Sequence, residues 1–412
     1  MSVRRLTDWR DETLRELADR HGTPLYVLDL ERVAANLDRL QSAFPDATVL
    51  YACKANALRD VLETVLDAGA GLECASGGEV VRAIAAGAPG EDIHYTPVNP
   101  PATDLETVIE CWHDEPELTV TVGSADTVDR LLERGYDGQL CLRVTPDIGA
   151  GHHEAVRTGA DAAFGVPIDR AVSVIEDADA RGLDVVGIHG HLGSGITNDD
   201  LATHRVFVER LGELATRVER EVTDLVFVDV GGGFGVPYRP SEAPLDLEAV
   251  AAATRGALSG VDAELVIEPG RYVVADAGVL VTSVTSVKET PSGTVAGVDA
   301  GMTTLVRPAL YDAYHPIRSL VPDATERPAT STTVAGPVCE SADVLGTGRE
   351  LPAPARGDFL AVGMTGAYGY EMASHYTTRP RPATVVLEGG SDRIARRRET
   401  IEDVVRPEEV PR

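Results

Sequence analysis

The chain has 412 residues, of which 43% are hydrophobic and 25% charged, so it is long enough for two domains and is not a disordered, collagen-like or disulfide-framework protein. It carries 37 Lys and Arg against 66 Asp and Glu, and the net charge of −29 argues against a nucleic acid or an anionic membrane as partner. Because salt screens such a charge, and because lysine occurs only as Lys54 and Lys288, we interpret the composition as that of a halophilic protein.

The cysteines and the N-terminal segment predict a location in the cytoplasm. The five cysteines form an odd set without a C-x-x-C pair, which indicates neither a disulfide framework nor a structural zinc site. They are Cys53, Cys74, Cys111, Cys141 and Cys339. The N-terminal residues lack the apolar core of a signal peptide, and no stretch approaches the roughly 18 apolar residues of a membrane span.

Eight short apolar runs alternate with helical segments in the first two thirds of the chain, a pattern typical of βα units around a parallel sheet. The predicted strands are 48–53, 71–75, 92–96, 118–122, 139–144, 184–190, 225–230 and 264–268. Eight such units predict a closed (β/α)8 barrel of the TIM type over residues 31–272, with an open doubly wound sheet as the alternative.

Beyond the barrel, strand-like runs broken by glycine and proline predict a second, mainly antiparallel β domain. We assign residues 1–30 and 273–412 to it, because the strand-like segment 23–30 precedes the first barrel helix and is expected to pair there. The charged C-terminal segment from Arg393 onward is expected to be a solvated end.

The first barrel strand runs into Lys54. Catalytic groups of a barrel lie where its strands end, and a lysine that is partly desolvated there has a lowered pKa and can attack a carbonyl. A surface lysine is the ordinary alternative for a strand end. The scarcity of lysine in this chain favours a catalytic role for Lys54.

The sixth strand carries His189 and His191, which point to the same side because they lie two residues apart. An H-x-H pair is typical of metal ligands, as in barrel hydrolases of the amidohydrolase kind. In those enzymes the pair closes the first strand and the lysine follows later, whereas here the order is reversed. A metal site is therefore not predicted, and a buried core histidine is the alternative for His189.

Gly231, Gly232 and Gly233 follow the seventh strand, at a common phosphate site of barrels, and allow backbone N–H groups to approach a phosphate. A tight turn is the alternative. The eighth strand ends in Glu268 and is followed by Arg271, for which an exposed ion pair is the alternative.

One cofactor would use all of these groups. Pyridoxal phosphate needs a lysine for its Schiff base, a phosphate cup, a flat group over its ring and an acid at the ring nitrogen. Lys54, the glycine loop with Ser194, His191 and Glu268 supply these features in that order.

With these groups the chain resembles the fold-type III pyridoxal-phosphate decarboxylases, and among them the members that act on diaminopimelate. The similarity covers nearly the whole chain. It rests on motifs that occur in the family's order: YACKAN (51–56), ASGGE (75–79), LRVTP (142–146), HLGSG (191–195), DVGGGFG (229–235), EPGR (268–271), RPALYDAYH (307–315), GPVCESAD (336–343) and GAYGYEMASHY (366–376).

The resemblance implies a barrel with a β domain, and the decarboxylation of meso-2,6-diaminopimelate to L-lysine and CO2. It implies that Lys54 binds the cofactor covalently, that His191 stacks on its ring and that Glu268 faces the ring nitrogen. The other cofactor contacts that we expect are Ser194, Gly232, Gly233, Pro269, Gly270, Arg271 and Tyr368.

The β domain would select the substrate. Diaminopimelate has an amino-acid head at each end, so its distal carboxylate needs cations and its distal ammonium needs an acid. The resemblance implies that carboxylate is held by Arg271, Arg307 and Tyr311, the ammonium by Glu340, and that Tyr368 lies near both ligands. Cys339 is the implied proton donor, although a buried small residue is the usual role of a lone cysteine.

The resemblance also implies a homodimer whose active sites are each completed by the second copy. Three places depart from the family pattern: residues 97–101 lack a glycine and a lysine, Ala163 replaces a lysine, and Gly195 replaces a glutamine.

Two alternatives remain. A decarboxylase of the same fold could act on ornithine, arginine or carboxynorspermidine, although the ornithine type has C-D-G where this chain has 339–341 as C-E-S. A non-catalytic binding protein that decayed from the family would be expected to lack Lys54 or Cys339, and both are present.

Overall fold

A computed structural model describes residues 3–145, 148, 164–291 and 293–408 of the chain. The chain divides into two compact units. The barrel unit comprises Ala34–Val236 and Pro244–Val273, and the β unit comprises Met1–Val33, Pro237–Ala243 and Val274–Arg412. The short segment Pro237–Ala243 therefore belongs to the β unit although barrel sequence flanks it on both sides.

The strands are, in chain order, β1 (Leu25–Asp29), β2 (Ala47–Ala52), β3 (Gly71–Cys74), β4 (Ile93–Tyr95), β5 (Thr119–Val122), β6 (Gln139–Thr145), β7 (Val166–Pro167), β8 (Asp184–Gly190), β9 (Phe227–Asp229), β10 (Glu264–Ile267), β11 (Gly278–Thr290), β12 (Gly293–Val298), β13 (Ile317–Ser319), β14 (Ala329–Ala335), β15 (Val344–Pro352), β16 (Phe359–Gly363), β17 (Ala383–Glu388) and β18 (Ser391–Arg396).

The α-helices are α1 (Asp11–His21), α2 (Leu30–Ala43), α3 (Arg59–Asp67), α4 (Gly77–Ala85), α5 (Ala102–Asp114), α6 (Ala125–Leu132), α7 (Ala171–Ala180), α8 (Leu201–Glu221), α9 (Leu247–Ala257), α10 (Arg271–Val274), α11 (Arg307–Tyr311) and α12 (Ile401–Val405). Among the described residues, none of these helices is long and apolar enough to cross a membrane.

The barrel unit contains a closed ring of eight parallel strands. Their order is β5-β4-β3-β2-β10-β9-β8-β6, and pairing between β5 and β6 closes the ring, with the two-residue β7 beside β6. These strands agree with the predicted ones to within two residues at each end, so the closed barrel is confirmed and the open sheet is excluded. Strands covered on both faces are buried along their whole length, as in β5, whose four residues are all buried.

Side-chain caps begin several barrel helices directly after the strand loops. Ser76 accepts a hydrogen bond from the backbone N–H of Glu79 at the start of α4, and Ser124 accepts one from Thr127 at the start of α6. Such caps satisfy the free N–H groups of the first turn. At these two places the chain passes from strand to helix through a short loop.

The β unit is built on a mixed, mainly antiparallel sheet. Its strand β1, predicted at 23–30, pairs with β11 antiparallel and with β17 parallel, and β12 pairs with β14 parallel. We expected the C-terminal segment to be a solvated end, but it is partly ordered into secondary structure. Its strand β18 pairs with β17, and Thr400 caps the short helix α12. The strand β18 carries three charged residues, which suits its place at the edge of the sheet.

Candidate active site

Lys54 and Glu73 form an ion pair at the end of the first two barrel strands. The register of β2 and β3 places Ala52 opposite Glu73, and the Lys54 Nζ lies 2.7 Å from Glu73 Oε2. The Lys54 side chain is 46% exposed and that of Glu73 only 1%. Burial raises the pKa of Glu73 to about 7 although Lys54 opposes this shift. A buried acid that can hold a proton near neutral pH therefore stands directly beside the amine.

A second buried group joins three further strands. His189 on β8 lies with Nε2 3.1 Å from Oε2 of Glu268, which follows β10, and Asp229 ends β9. The ligating atoms of the three side chains lie within 4.8 Å of one another. His189 is buried, as the core alternative expected, but its contact with Glu268 makes it part of this group.

The pKa values of Asp229 and Glu268 are shifted in opposite directions. Burial and the neighbouring Glu268 raise the pKa of Asp229 well above its ordinary range. Burial would also raise the pKa of Glu268, but His189, Lys54 and His191 outweigh it and hold this pKa below its ordinary value. The shifts in pKa therefore favour the ionised form of Glu268 and the protonated form of Asp229.

The glycine loop after β9 approaches the segments after β8 and β10 more closely than side chains would allow. A Cβ on Gly232 would lie 2.0 Å from the Glu268 carbonyl oxygen, and one on Gly233 would lie 2.2 Å from that of Gly193. Gly233 also has φ +91° and accepts hydrogen bonds from the backbone N–H groups of Gly195 and Ile196. Only glycine fits this arrangement.

His191 is held as a neutral ring beside this loop. Its Nδ1 accepts the backbone N–H of Gly232 at 3.3 Å, so the hydrogen of the neutral ring is on Nε2. Burial, Arg143 and Lys54 lower the pKa of His191 to about 3. An uncharged flat ring therefore faces the barrel end at neutral pH.

The segment after β10 is hydrogen-bonded to the end of β2, just before Lys54. The carbonyl oxygen of Pro269 accepts the backbone N–H of Ala52 at 3.2 Å, and a Cβ on Gly270 would lie 3.1 Å from the side chains of Ala52 and Ala55. Arg271 begins α10, and its Nη2 donates to Ser194 Oγ at 3.0 Å. The structure thus brings together all the predicted cofactor residues of the barrel unit.

These groups fit pyridoxal phosphate. Glu268 Oε1 is buried without a hydrogen-bond partner among the described residues, and its carboxyl group is ionised, so it can accept a ring N–H⁺. The amine of Lys54 is accessible for a carbonyl carbon. The side chains of His189, Asp229 and Glu268 are also of types that bind metals, but the contact of His189 with an ionised Glu268 equally suits a cationic ring nitrogen.

The predicted substrate residues of the β unit occupy α11 and two loops. Arg307 begins α11 and is buried, and Tyr311 ends the helix half-buried. Tyr368 has φ +56° and is half-buried. Cys339 and Glu340 are exposed in the loop before β15. The usual role of a buried small residue is thereby excluded for Cys339.

Glu340 is oriented by a neighbour from another loop. The hydroxyl of Tyr376 donates to Glu340 Oε1 at 2.5 Å. The loop that carries Glu340 is also held by Asp343, whose buried carboxylate accepts the N–H groups of Met302 and Val338 at 2.5 and 2.6 Å.

Glu73 and Asp229 are functional candidates that the sequence patterns did not predict. Glu73 lies within an apolar strand, and a single acid near the end of such a strand is a signal for a barrel site. Asp229 lies in the motif that precedes the glycine loop. Gly195, where the family has glutamine, has φ +80°, a conformation that favours glycine. Ala163 and part of the segment 142–146 lie outside the described residues.

Comparison with protein families identifies a match over residues 30–275 to the pyridoxal-binding domain of pyridoxal-dependent decarboxylases. Among curated proteins, the diaminopimelate decarboxylase of Methanothermobacter thermautotrophicus is 39% identical, over 96% of this chain and 94% of that protein. The diaminopimelate decarboxylase of Aquifex aeolicus is 37% identical over the same shares of the two chains.

Solved structures give the same result. Diaminopimelate decarboxylase from Helicobacter pylori, complexed with L-lysine, aligns with a TM-score of 0.89 and 32% identity over 96% of this chain and 99% of that one. Lysine/ornithine decarboxylase from Vibrio vulnificus, at 23% identity and a TM-score of 0.81 over 94% and 99% of the two chains, shares the fold.

Proposed function

The chain belongs to the family of pyridoxal-dependent decarboxylases, and we propose that it is a diaminopimelate decarboxylase that converts meso-2,6-diaminopimelate to L-lysine and CO2. The observation that carries this proposal is the similarity to curated diaminopimelate decarboxylases at 34–39% identity over nearly the whole chain. In the reaction one C–C bond breaks, a carboxyl group leaves as CO2, and a proton takes its place.

The barrel unit would hold the cofactor. When bound, pyridoxal phosphate supplies an electron sink for the electron pair that remains as CO2 departs. Lys54 Nζ would bind it covalently, and the ionised Glu268 would accept the N–H⁺ of its ring. His191 would lie at the ring, and the remaining contacts would come from Ser194, Gly232, Gly233, Pro269, Gly270, Arg271 and Tyr368.

Glu73 would accept and return the proton of the Lys54 amine. Its Oε2 lies 2.7 Å from Lys54 Nζ, and its pKa of about 7 lets it take up or return a proton at neutral pH. The amine must lose a proton before it can attack a carbonyl carbon, and Glu73 offers an acceptor within hydrogen-bond distance.

The β unit would recognise the substrate and protonate the product. Arg307, Tyr311 and Arg271 would bind substrate carboxylate, and Glu340 would pair with the distal ammonium. Cys339 Sγ would donate the proton that replaces CO2. Tyr376 supports this assignment because its hydroxyl fixes one oxygen of Glu340.

The assay is direct. Purified protein is incubated with pyridoxal phosphate in molar KCl and given meso-diaminopimelate, ornithine, arginine or carboxynorspermidine in parallel, with CO2 and amine products measured. We expect CO2 and L-lysine from diaminopimelate alone. Equal or faster CO2 release from one of the other substrates would contradict the proposed specificity, and no release from any would contradict the activity.

We also propose a homodimer in which each active site is completed by the second copy, as the family resemblance implies. Mixing Lys54→Ala with Cys339→Ala protein, under conditions of subunit exchange, tests it. About half of the dimers are then mixed and each has one intact site, so about a quarter of wild-type activity should return. A mixture as inactive as its parents would contradict a shared site.

We further propose that the protein works in the salt-rich cytoplasm of a halophile. Support comes from the net charge of −29 and from five cysteines that are all free thiols. Repulsion between unscreened acids should lower stability in dilute buffer. The thermal unfolding midpoint should therefore rise from low to molar KCl, and a flat response would contradict the salt adaptation.

A further inference from the structure

Arg307 is a buried cation whose hydrogen-bond partners are neutral. Its residue surface is 3% exposed, and its Nη1 lies 3.0 Å from the hydroxyl of Tyr238 and 3.0 Å from Nε2 of His315. No carboxylate of the described residues forms an ion pair with it. Because a buried charge without a counter-ion is costly, this guanidinium is prepared for an anionic ligand.

The two neighbours of His315 fix its tautomer. A guanidinium can only donate, so Nε2 of His315 must accept the hydrogen bond from Arg307. Its Nδ1 lies 2.9 Å from the carbonyl oxygen of Gly363, which can only accept, so Nδ1 carries the hydrogen. Both ring nitrogens of this fully buried histidine are thereby engaged, and the ring is neutral.

The His315 ring and backbone are held from several sides. The Arg349 Nη2 donates to the backbone oxygen of His315 at 3.0 Å, and its guanidinium lies 3.9 Å from the centre of the Tyr314 ring. The Tyr238 ring meets the His315 ring edge-on at 5.4 Å between centres. Rotation of the histidine would break these contacts, so its Nε2 is a fixed acceptor.

We propose that His315 is a positioning residue, which fixes the plane of the Arg307 guanidinium for a substrate carboxylate. Its acceptor and that of Tyr238 engage Nη1, whereas Nε and Nη2 of Arg307 have no hydrogen-bond partner among the described residues. That remaining edge can bind both oxygens of one carboxylate only if the guanidinium plane is fixed. This inference rests on the proposed function, in which Arg307 binds the carboxylate that L-lysine retains.

Two replacements separate the two contacts of the histidine. In His315→Gln the side-chain oxygen can reach Arg307 as Nε2 does, whereas in His315→Asn the shorter amide can only donate to Gly363 as Nδ1 does. The dissociation constant of L-lysine is measured by calorimetry, together with KM and kcat for meso-diaminopimelate. Cadaverine, which lacks a carboxylate, serves as the control ligand.

We expect His315→Asn to raise the L-lysine dissociation constant and KM about tenfold or more, since a hydrogen bond to a charged group is lost. His315→Gln should stay within about threefold of the wild type because the bond is retained. In both variants kcat and cadaverine binding should change little. Equal weakening of L-lysine binding by both replacements, or no weakening by either, would overturn the positioning role.

His204 supplies a matched control in the barrel unit. It is also buried, and its Nε2 lies 2.8 Å from the hydroxyl of Thr254, so His204→Asn should lower stability without changing L-lysine binding. If His315→Asn does not fold, Tyr238→Phe removes the other acceptor on Arg307, and unchanged L-lysine binding in it would overturn the proposal. If the wild type bound L-lysine but released no CO2, only the proposed function would be overturned. The role of His315 is judged from the L-lysine dissociation constants of the variants, which do not depend on CO2 release.

Discussion

The barrel unit buries its functional groups in contact with one another, whereas the β unit carries its thiol and acid on an exposed loop. The side chains of Glu73, His189 and Glu268 are 1%, 1% and 3% exposed. Cys339 and Glu340 are exposed. Buried charges interact strongly and shift each other's pKa, while exposed ones are screened by water. The electrostatics of the barrel end are therefore set by buried groups, and we expect the exposed loop residues to act on the substrate once it is bound.

The largest expected effect is the loss of the barrel amine. Lys54→Ala should abolish lysine formation, by several orders of magnitude in kcat/KM, because no other amine of the described barrel residues can bind the cofactor. Lys288→Ala is the matched control, since Lys288 lies exposed on β11 of the β unit, and it should keep wild-type activity. If Lys54→Ala kept an activity close to that of Lys288→Ala, the assignment of the cofactor-binding amine to Lys54 would be contradicted.

A substitution in the exposed loop should separate substrate recognition from cofactor binding. Glu340→Ala leaves the distal ammonium of the substrate without its acid, and activity on meso-diaminopimelate should fall about a hundredfold or more. The visible absorption of the bound cofactor should persist. Simultaneous loss of both would show that Glu340 supports the structure instead.

Removing the hydroxyl of Tyr376 gives a second, weaker test of the role of Glu340. This hydroxyl donates to Glu340, so Tyr376→Phe should raise KM for diaminopimelate by about tenfold or less, a smaller effect than the loss of the acid itself. Steady-state kinetics of both variants decide the order. A larger effect for Tyr376→Phe would contradict the assignment of the ammonium to Glu340.

The smallest effect concerns the pH dependence of the buried acid. Glu73 has a pKa of about 7 in the folded protein against an ordinary value of 4.5, so it binds its proton more tightly when folded. Wild-type protein freed of cofactor should therefore lose stability relative to Glu73→Gln as the pH rises from 4.5 through about 7, by roughly 3 kcal/mol at most. Urea unfolding at pH 5 and 8 measures this difference.

Glu16, exposed on α1 of the β unit, provides the control for that measurement. Glu16→Gln should follow the wild type at both pH values. If Glu73→Gln also follows the wild type, the ion pair with Lys54 compensates fully for burial, and the contrast between buried and exposed acids is weaker than we infer.

The barrel was predictable because its strands are short, mostly apolar runs that alternate with helical segments. Lys54, His191 and Glu268 could be assigned because each follows such a run, and the ends of parallel strands meet at one end of a barrel. The residues proposed for the cofactor lie at strand ends, and the periodicity of the sequence already predicts where the strands end.

Contacts that depend on strand register or on the path of a loop were not predictable. Glu73 meets Lys54 because β2 and β3 pair Ala52 with Glu73, and apolar patterning does not determine such a register. Tyr238 lies within barrel sequence but contacts Arg307 of the β unit, because the segment Pro237–Ala243 folds with that unit. The substrate residues of the β unit came from family resemblance alone, since loops carry no periodic signal.

The most direct test of the central claim, that the barrel holds the cofactor through a strand-end lysine, is borohydride reduction of the loaded enzyme followed by peptide mapping. The chain is suited to it because Lys54 and Lys288 are its only lysines. We predict that the reduced pyridoxyl group is found on the peptide that contains Lys54. A label on Lys288, or none on either lysine of an active enzyme, would contradict the account.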